Sequence, residues 1–149
     1  MKPQIHLKKI WFDNDVIQLK VEVCDGISSF CNMVYIGMRS LGALIEELET
    51  FRKAIHGGIC DVKFGNFGPE YGGGGFEARL HFYAPGHGKL YISTHQQSEY
   101  SSFKDTKVAN EARFHLKTEA IQLDNFLAEL KVLDAGNSKE AHMQCYTDS

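Results

Sequence analysis

The chain has 149 residues, 16 Lys and Arg against 19 Asp and Glu, a net charge of −3 and 43% hydrophobic residues. A length of this order fits one domain, able to bury roughly 70% of its unfolded surface without help from metals or disulfides. The balanced charge lacks the excess of cations on which binders of a phosphate backbone depend, so no nucleic-acid partner is expected.

Residues 4–12 read as a first strand with Ile5 and Leu7 on one face. Asp13-Asn14-Asp15 is turn chemistry, because short Asx side chains bond to nearby backbone. Ile17, Leu19, Val21 and Val23 then alternate with Gln18, Lys20 and Glu22, the pattern of a half-buried strand. Asp25-Gly26 signals a hairpin, since both residues tolerate positive φ. A third strand over residues 27–36 places Phe30, Val34 and Ile36 on one face. Ser40 is the expected N-cap of a helix over 40–56, whose stripe is Leu41, Leu44, Ile45, Leu48, Phe51 and Ile55. Gly57-Gly58 would end that helix in the left-handed region.

A glycine-rich stretch follows, residues 57–95, holding ten of the fourteen glycines. Cys60, Val62 and Phe64 mark a fourth strand, and 65–75 is too rich in glycine to be regular. Phe76, Ala78, Leu80 and Phe82 mark a fifth strand, Leu90 and Ile92 a sixth, with Ala84–Gly88 as the turn. The polar residues 96–109 read as a loop or a fraying hairpin end. Ala112, Phe114 and Leu116 form a seventh strand, and Thr118 is the expected cap of a second helix over 119–133. Residues 134–149 lack periodicity and read as a disordered tail. The expected architecture is one α+β domain over 1–133. It would be a single antiparallel sheet of about seven strands with two helices on one face, in the order βββαββββα.

No apolar run reaches the ~20 residues of a membrane span, and the N-terminus lacks the apolar region of a secretory signal. The expectation is a cytoplasmic protein. Cys24, Cys31, Cys60 and Cys145 form no C-x-x-C pair and are expected as reduced thiols. Cys24 and Cys31 flank the hairpin at unequal offsets and should not face each other.

Two glycine patterns invite a phosphate-binding reading, and neither survives its spacing. Gly86-His87-Gly88-Lys89 is followed by Leu90 where a P-loop needs Ser or Thr, and Tyr83 stands where its first glycine belongs. Gly72–Gly75 lacks the G-x-G-x-x-G spacing and leads into a strand rather than a helix. No cofactor is expected. The polar side of the central hairpin holds more chemistry. With the turn at Ala84–Gly88, Glu77 falls opposite His95, Arg79 opposite Ser93 and His81 opposite Tyr91, at cross-strand separations of ~5 Å. Arg113 and His115 can join from the seventh strand. A carboxylate beside an imidazole is the minimum for acid–base work. The only set with ligand chemistry for a metal is Glu77 with His81, His95 and His115. Neither a nucleophile elbow nor a zinc-protease motif is present. The same residues also suit a contact face, because tyrosines beside a glycine loop bury area at low entropic cost.

The strands F-E-A-R-L-H-F (76–82) and K-L-Y-I-S-T (89–94), with the strand-to-helix run A-R-F-H-L-K-T-E-A-I-Q-L-D-N-F-L-A-E-L (112–130), resemble the WapI-like immunity proteins. That resemblance implies a small cytoplasmic bacterial protein that neutralises a contact-dependent toxin by direct protein–protein contact, without catalysis. The expected partner is therefore a cognate toxin domain, and the expected contact residues are Glu70, Tyr71, Glu77, Arg79, His81, Tyr83, Tyr91 and His95. The alternative is a small enzyme or metal-dependent domain built on Glu77, His81, His95 and His115.

Overall fold

The computed structural model describes residues 2–147. The chain runs β1 (Gln4–Phe12), β2 (Val16–Cys24), β3 (Ser29–Gly37), α1 (Ser40–Arg52), β4 (Ile59–Gly65), β5 (Gly75–Phe82) and β6 (Lys89–Gln97). It continues through β7 (Ser101–Phe103), β8 (Thr106–Val108), β9 (Glu111–Glu119), α2 (Ala120–Asp134) and β10 (Glu140–Gln144). The α+β class is as expected; the single seven-stranded sheet is not. The strands form two four-stranded antiparallel sheets, in the orders β10-β1-β2-β3 and β4-β5-β6-β9, plus the small hairpin β7-β8.

The division has a local cause. β1, β2 and β3 are joined by tight Asx turns: Asp13 Oδ1 accepts from the N–H groups of Asp15 and Val16, and Asp25 Oδ1 from those of Ile27 and Ser28. Each turn sends the next strand back beside the last. Between β3 and β4 the chain makes α1 instead, so these two strands close separate sheets as edges. Residues 96–109 take the hairpin option: β6 and β9 pair from Lys89–Glu119 to Gln97–Glu111, and β7-β8 prolongs the turn between them.

The C-terminal stretch corrects the expected tail. Residues 140–144 form β10, which pairs with β1 from Gln4–Gln144 to Lys8–Glu140. Ala141, Met143 and Cys145 are buried. A five-residue strand presenting two small or apolar side chains inward is too short to stand out in a periodicity scan. Asp148 and Ser149, the end of that expected tail, lie outside the described residues.

Helix boundaries also shift. α1 begins at Ser40 with Arg39 as N-cap, and no side chain caps it; it ends at Arg52 with Lys53 as C-cap, well before Gly57. Thr118 stays in β9, where its Oγ1 donates to Gln144 O at 2.6 Å, and Glu119 is the N-cap of α2. The two helices pack on each other, joined by a two-pronged ion pair from Arg52 to Asp124, with Nε–Oδ1 at 2.7 Å. Apolar faces of both sheets and both helices share one core. Its centre encloses a small apolar void of about 30 Å³ lined by residues such as Leu7, Leu48, Leu80, Phe126 and Met143.

The sheets meet along a buried polar seam. Asn32 on β3 donates from Nδ2 to Gly75 O (3.1 Å) and Gln97 O (2.9 Å). Gln96 on β6 is fully buried, and its Nε2 reaches Asn32 Oδ1 (2.9 Å) and the carbonyls of Val21 and Phe30 (both 3.2 Å). These bonds satisfy the buried amide nitrogens, while Gln96 Oε1 meets no hydrogen-bond partner among the described residues.

The four cysteines are free thiols. In the β2-β3 register Cys24 faces Ser29 and Cys31 faces Glu22, so those two do not meet. Burial pushes the Cys145 thiol up to about 12 and also raises that of Cys31, which remains exposed. Reaction of a thiolate requires both ionisation and access. An aromatic disulfide reagent at mildly alkaline pH should therefore label Cys31 first in the native protein. Cys24 and Cys145 should label only on unfolding; mass mapping of the first adduct checks the order.

Candidate functional site

The outer face of the second sheet is an array of rows crossing four strands. Lys63, Glu77, His95 and Arg113 form one row; Asp61, Arg79, Ser93 and His115 the next; Ile59, His81, Tyr91 and Lys117 the third. Strict alternation produces this, because Val62, Ala78, Leu80, Ile92, Phe114 and Leu116 turn into the core and every second side chain turns outward. The three pairs expected across the hairpin occur in that register: Glu77–His95, Arg79–Ser93 and His81–Tyr91. A shallow basin of about 420 Å³ lies over the first two rows.

Within the array the side chains bond to one another. Arg79 grips Asp61 with Nε–Oδ1 at 2.8 Å and a second nitrogen to Oδ2 at 3.0 Å. That bond holds the Asp61 carboxyl below its ordinary range and raises the guanidinium. Ser93 Oγ lies 3.1 Å from His115 Nδ1. Tyr83 and Tyr91 meet edge to face at 5.9 Å.

His95 is the most constrained member. Its Nδ1 is 3.2 Å from Glu77 Oε1, its Nε2 is 2.8 Å from Glu111 Oε1, and Phe67 stacks on the ring at 4.5 Å. Only 14% of the side chain is exposed. A neutral imidazole can donate from one nitrogen at a time, whereas the imidazolium donates to both carboxylates. The stack also anchors the glycine loop. Gly68 N–H donates to Gln97 Oε1 at 2.9 Å, and Tyr100 N–H to Gly72 O at 3.1 Å, so the irregular loop over 65–75 is tied to β6 and the residues just after it.

Glu111 and Phe67 are the neighbours of His95 that the strand pattern did not single out. Glu111 sits one position before the run recognised as a strand and reaches His95 diagonally. Phe67 lies in the glycine loop, where no periodicity assigns a face. Its bond from His95 holds the Glu111 carboxyl below its ordinary value. A depressed carboxyl contributes stability above its unfolded pKa, and that contribution is lost as pH falls through the folded value. Glu111→Gln should therefore be less stable than wild type at neutral pH, by under about 1 kcal/mol because the carboxylate itself is half exposed. The gap should close in acid; urea midpoints across the acid range check this.

Glu77, Arg79, His81, Tyr83, Tyr91 and His95 thus share one face. Glu70 and Tyr71 do not join it. Tyr71, 62% exposed, lines a recess of about 220 Å³ with Tyr35, Gly65 and Gly74, on the side of the loop toward β3. Of the alternative set, Glu77 and His95 are hydrogen-bonded, but His81 and His115 do not join them. His95 is occupied by two carboxylates and a ring, His115 is turned to Ser93, and His81 stands opposite Tyr91. Among the described residues no group of three or more His, Cys, Asp or Glu is placed to hold a metal ion. Nor does any carboxylate there hydrogen-bond the His115 ring, so the Ser93–His115 pair lacks the third group that orients a catalytic base.

The fold and face together define an α+β protein of two antiparallel sheets that presents one sheet surface, lined with charge, imidazole and tyrosine, to its surroundings. No family model, curated protein or solved structure matches the chain. Among the described residues no helix is long and apolar enough to cross a membrane.

Proposed function

We propose that the chain is a non-enzymatic binding protein that meets another protein with the outer face of the second sheet. The observation that carries this reading is the array itself: three rows of outward side chains across four strands, uncovered by either helix. Its polar groups are engaged with one another rather than converging on a reacting point. Such a surface is pre-organised, so binding does not have to order it. Arg79, Tyr83 and Tyr91 are of the residue types that dominate protein interfaces.

The resemblance to WapI-like immunity proteins supplies the class of partner, a toxin domain, and the outcome, neutralisation inside the cell that makes both. Co-expression with the toxin-domain product of an adjacent reading frame tests it. Protection of the cells and co-elution of the two proteins are the expected results. Arg79→Glu combined with Tyr91→Ala should abolish both while leaving the melting temperature nearly unchanged. Unprotected cells, or a variant that protects as well as wild type, would sink the proposal.

A further inference from the structure

β9 is the last strand of the second sheet. It pairs with β6 on one side; on the other, among the described residues, its main chain meets only Tyr146, whose N–H donates to Lys117 O at 2.8 Å. The ladder phase shows what the rest of that side presents. Ser98 N–H donates to Asn110 O and Ala120 N–H to Gly88 O, both at 2.9 Å, at the two ends of the β6-β9 register. Bonded pairs alternate with unbonded ones. Ala112, Phe114, Leu116 and Thr118 therefore bond β6, while Glu111, Arg113, His115 and Lys117 turn their N–H and C=O groups outward. The bond from Tyr146 to Lys117 falls in that phase. Among the described residues nothing bonds the outward main-chain groups of Glu111, Arg113 or His115.

The two ends of β9 differ in a complementary way. Before it the chain forms the β7-β8 hairpin, an arm whose strand residues are all exposed. Ser101 faces Val108 and Phe103 faces Thr106, so these four side chains share one face of the arm, and its two apolar members are left exposed. At the far end of β9 an open recess of about 420 Å³ is lined by Ile27, His115, Lys117 and Tyr146, with Ile27 86% exposed.

We propose that the β9 edge is the interface of a homodimer, in which the β9 strands of two copies pair antiparallel about a two-fold axis at Ala112. An exposed edge of free main-chain groups is a template for such pairing, and the side chains select the register. Main-chain bonds form only where outward-turned residues face each other. Centring the pair on Glu111 or on Arg113 sets like charges together across the axis. Centring it on Phe114 or beyond engages Lys117, whose C=O already holds Tyr146. Centred on Ala112, Glu111 of each copy faces Arg113 of the other, and opposite charges on facing strands attract. The two Ala112 residues become the close, unbonded pair on the axis, where small side chains fit. A carboxylate has about four lone-pair sites, so Glu111 can keep its bond to His95 and accept from the second copy's Arg113. By the same count Val108 of each arm falls opposite Leu116 of the other copy, beside the recess that holds Ile27 and Tyr146. Each copy thus gives and receives the same contacts, and the association closes at two. The interface lies on the edge of the sheet and does not rest on the reading of its outer face.

Sedimentation of the full chain over a range of concentrations provides the readout. The mass should rise from the 16.8 kDa of one chain toward twice that. Glu111→Arg and Arg113→Glu each place like charges at both facing pairs. Either alone should weaken the dimer about tenfold or more, the equivalent of ~1.4 kcal/mol. An equimolar mixture of the two variants recreates both opposite-charge pairs and should associate about as readily as wild type. Phe103→Asp combined with Val108→Asp, on the exposed arm, should weaken the dimer similarly and serves if a β9 variant folds poorly. The Arg79→Glu/Tyr91→Ala variant should dimerise unchanged, which separates this interface from the contact proposed for the outer face. Three results would overturn the proposal. One is a chain that stays monomeric at every concentration. Another is a dimer indifferent to both charge reversals. The third is a mixture of the two reversed variants that fails to associate.

Discussion

A chain cut after Ala135 should lose about 5 kcal/mol or more of stability and be largely unfolded or aggregated at room temperature. The cut removes Ala141, Met143 and Cys145 from the core. Burying a methionine is worth about 1.5–3 kcal/mol, and the two smaller side chains add to that. It also uncovers Leu130 and Leu133 of α2, both fully buried, and strips β1 of one neighbouring strand. Domains of this size have about 5–15 kcal/mol in hand, so the loss takes most of it. Urea denaturation followed by circular dichroism is the measurement. An unchanged midpoint would mean that residues 136–149 are dispensable and that β10 does not hold the first sheet.

Gly74→Ala should cost about 3 kcal/mol, from about 1–3 kcal/mol of backbone strain and a comparable overpacking term. Gly74 has a φ of +87°, where an L side chain is strained. A Cβ there would also run into the carbonyl oxygen of Met33 and lie 3.3 Å from that of Gln97. Those atoms are backbone on β3 and β6, so relief requires moving one sheet away from the other. That movement stretches the bonds from Asn32 to Gly75 and Gln97. Gly72→Ala separates the two terms. Its φ of +68° carries strain, but nothing lies within 4 Å of the added methyl. It should cost only about 1 kcal/mol. Equal losses at the two positions would show that the sheets are free to adjust at the seam.

Much of the second sheet was legible because its strands keep the two-residue period along most of their length, breaking it only at ends such as Gly75-Phe76 and Gln96-Gln97. Phe76 to Phe82 and Leu90 to Ile92 place the hairpin, and the turn between them sets the register, so the rows of the outer face followed from counting. What alternation cannot show is which strand lies beside which across a helix. β3 and β4 both carry sound strand patterns, yet their separation into different sheets depends on α1 and on the Asn32–Gln96 link. That link left a trace. Asn32 interrupts the series Phe30, Val34, Ile36, and Gln96 continues the series Leu90, Ile92, Thr94; a polar amide at a core position calls for a buried partner. For the site, the Glu77–His95 pair was readable as a directly opposite pair. Glu111 was not, because it reaches His95 diagonally from beyond the recognised strand. The placement of Tyr71 away from the face depends on how the glycine loop turns, and glycines leave many routes open.

β1 lies between β2, which follows it after a short turn, and β10, more than a hundred residues further on, with Gln4 opposite Gln144. Closing so long a loop carries an entropic cost before any contact rewards it, and such topologies fold slowly. Until β10 arrives, a partly folded chain has β1 as an edge strand, with unpaired main-chain groups beside Ile5 and Leu7. That edge can be taken by β10 of the same molecule or by a strand of another. Refolding yield should thus be set by a race between an internal reaction, indifferent to concentration, and an intermolecular one that is not.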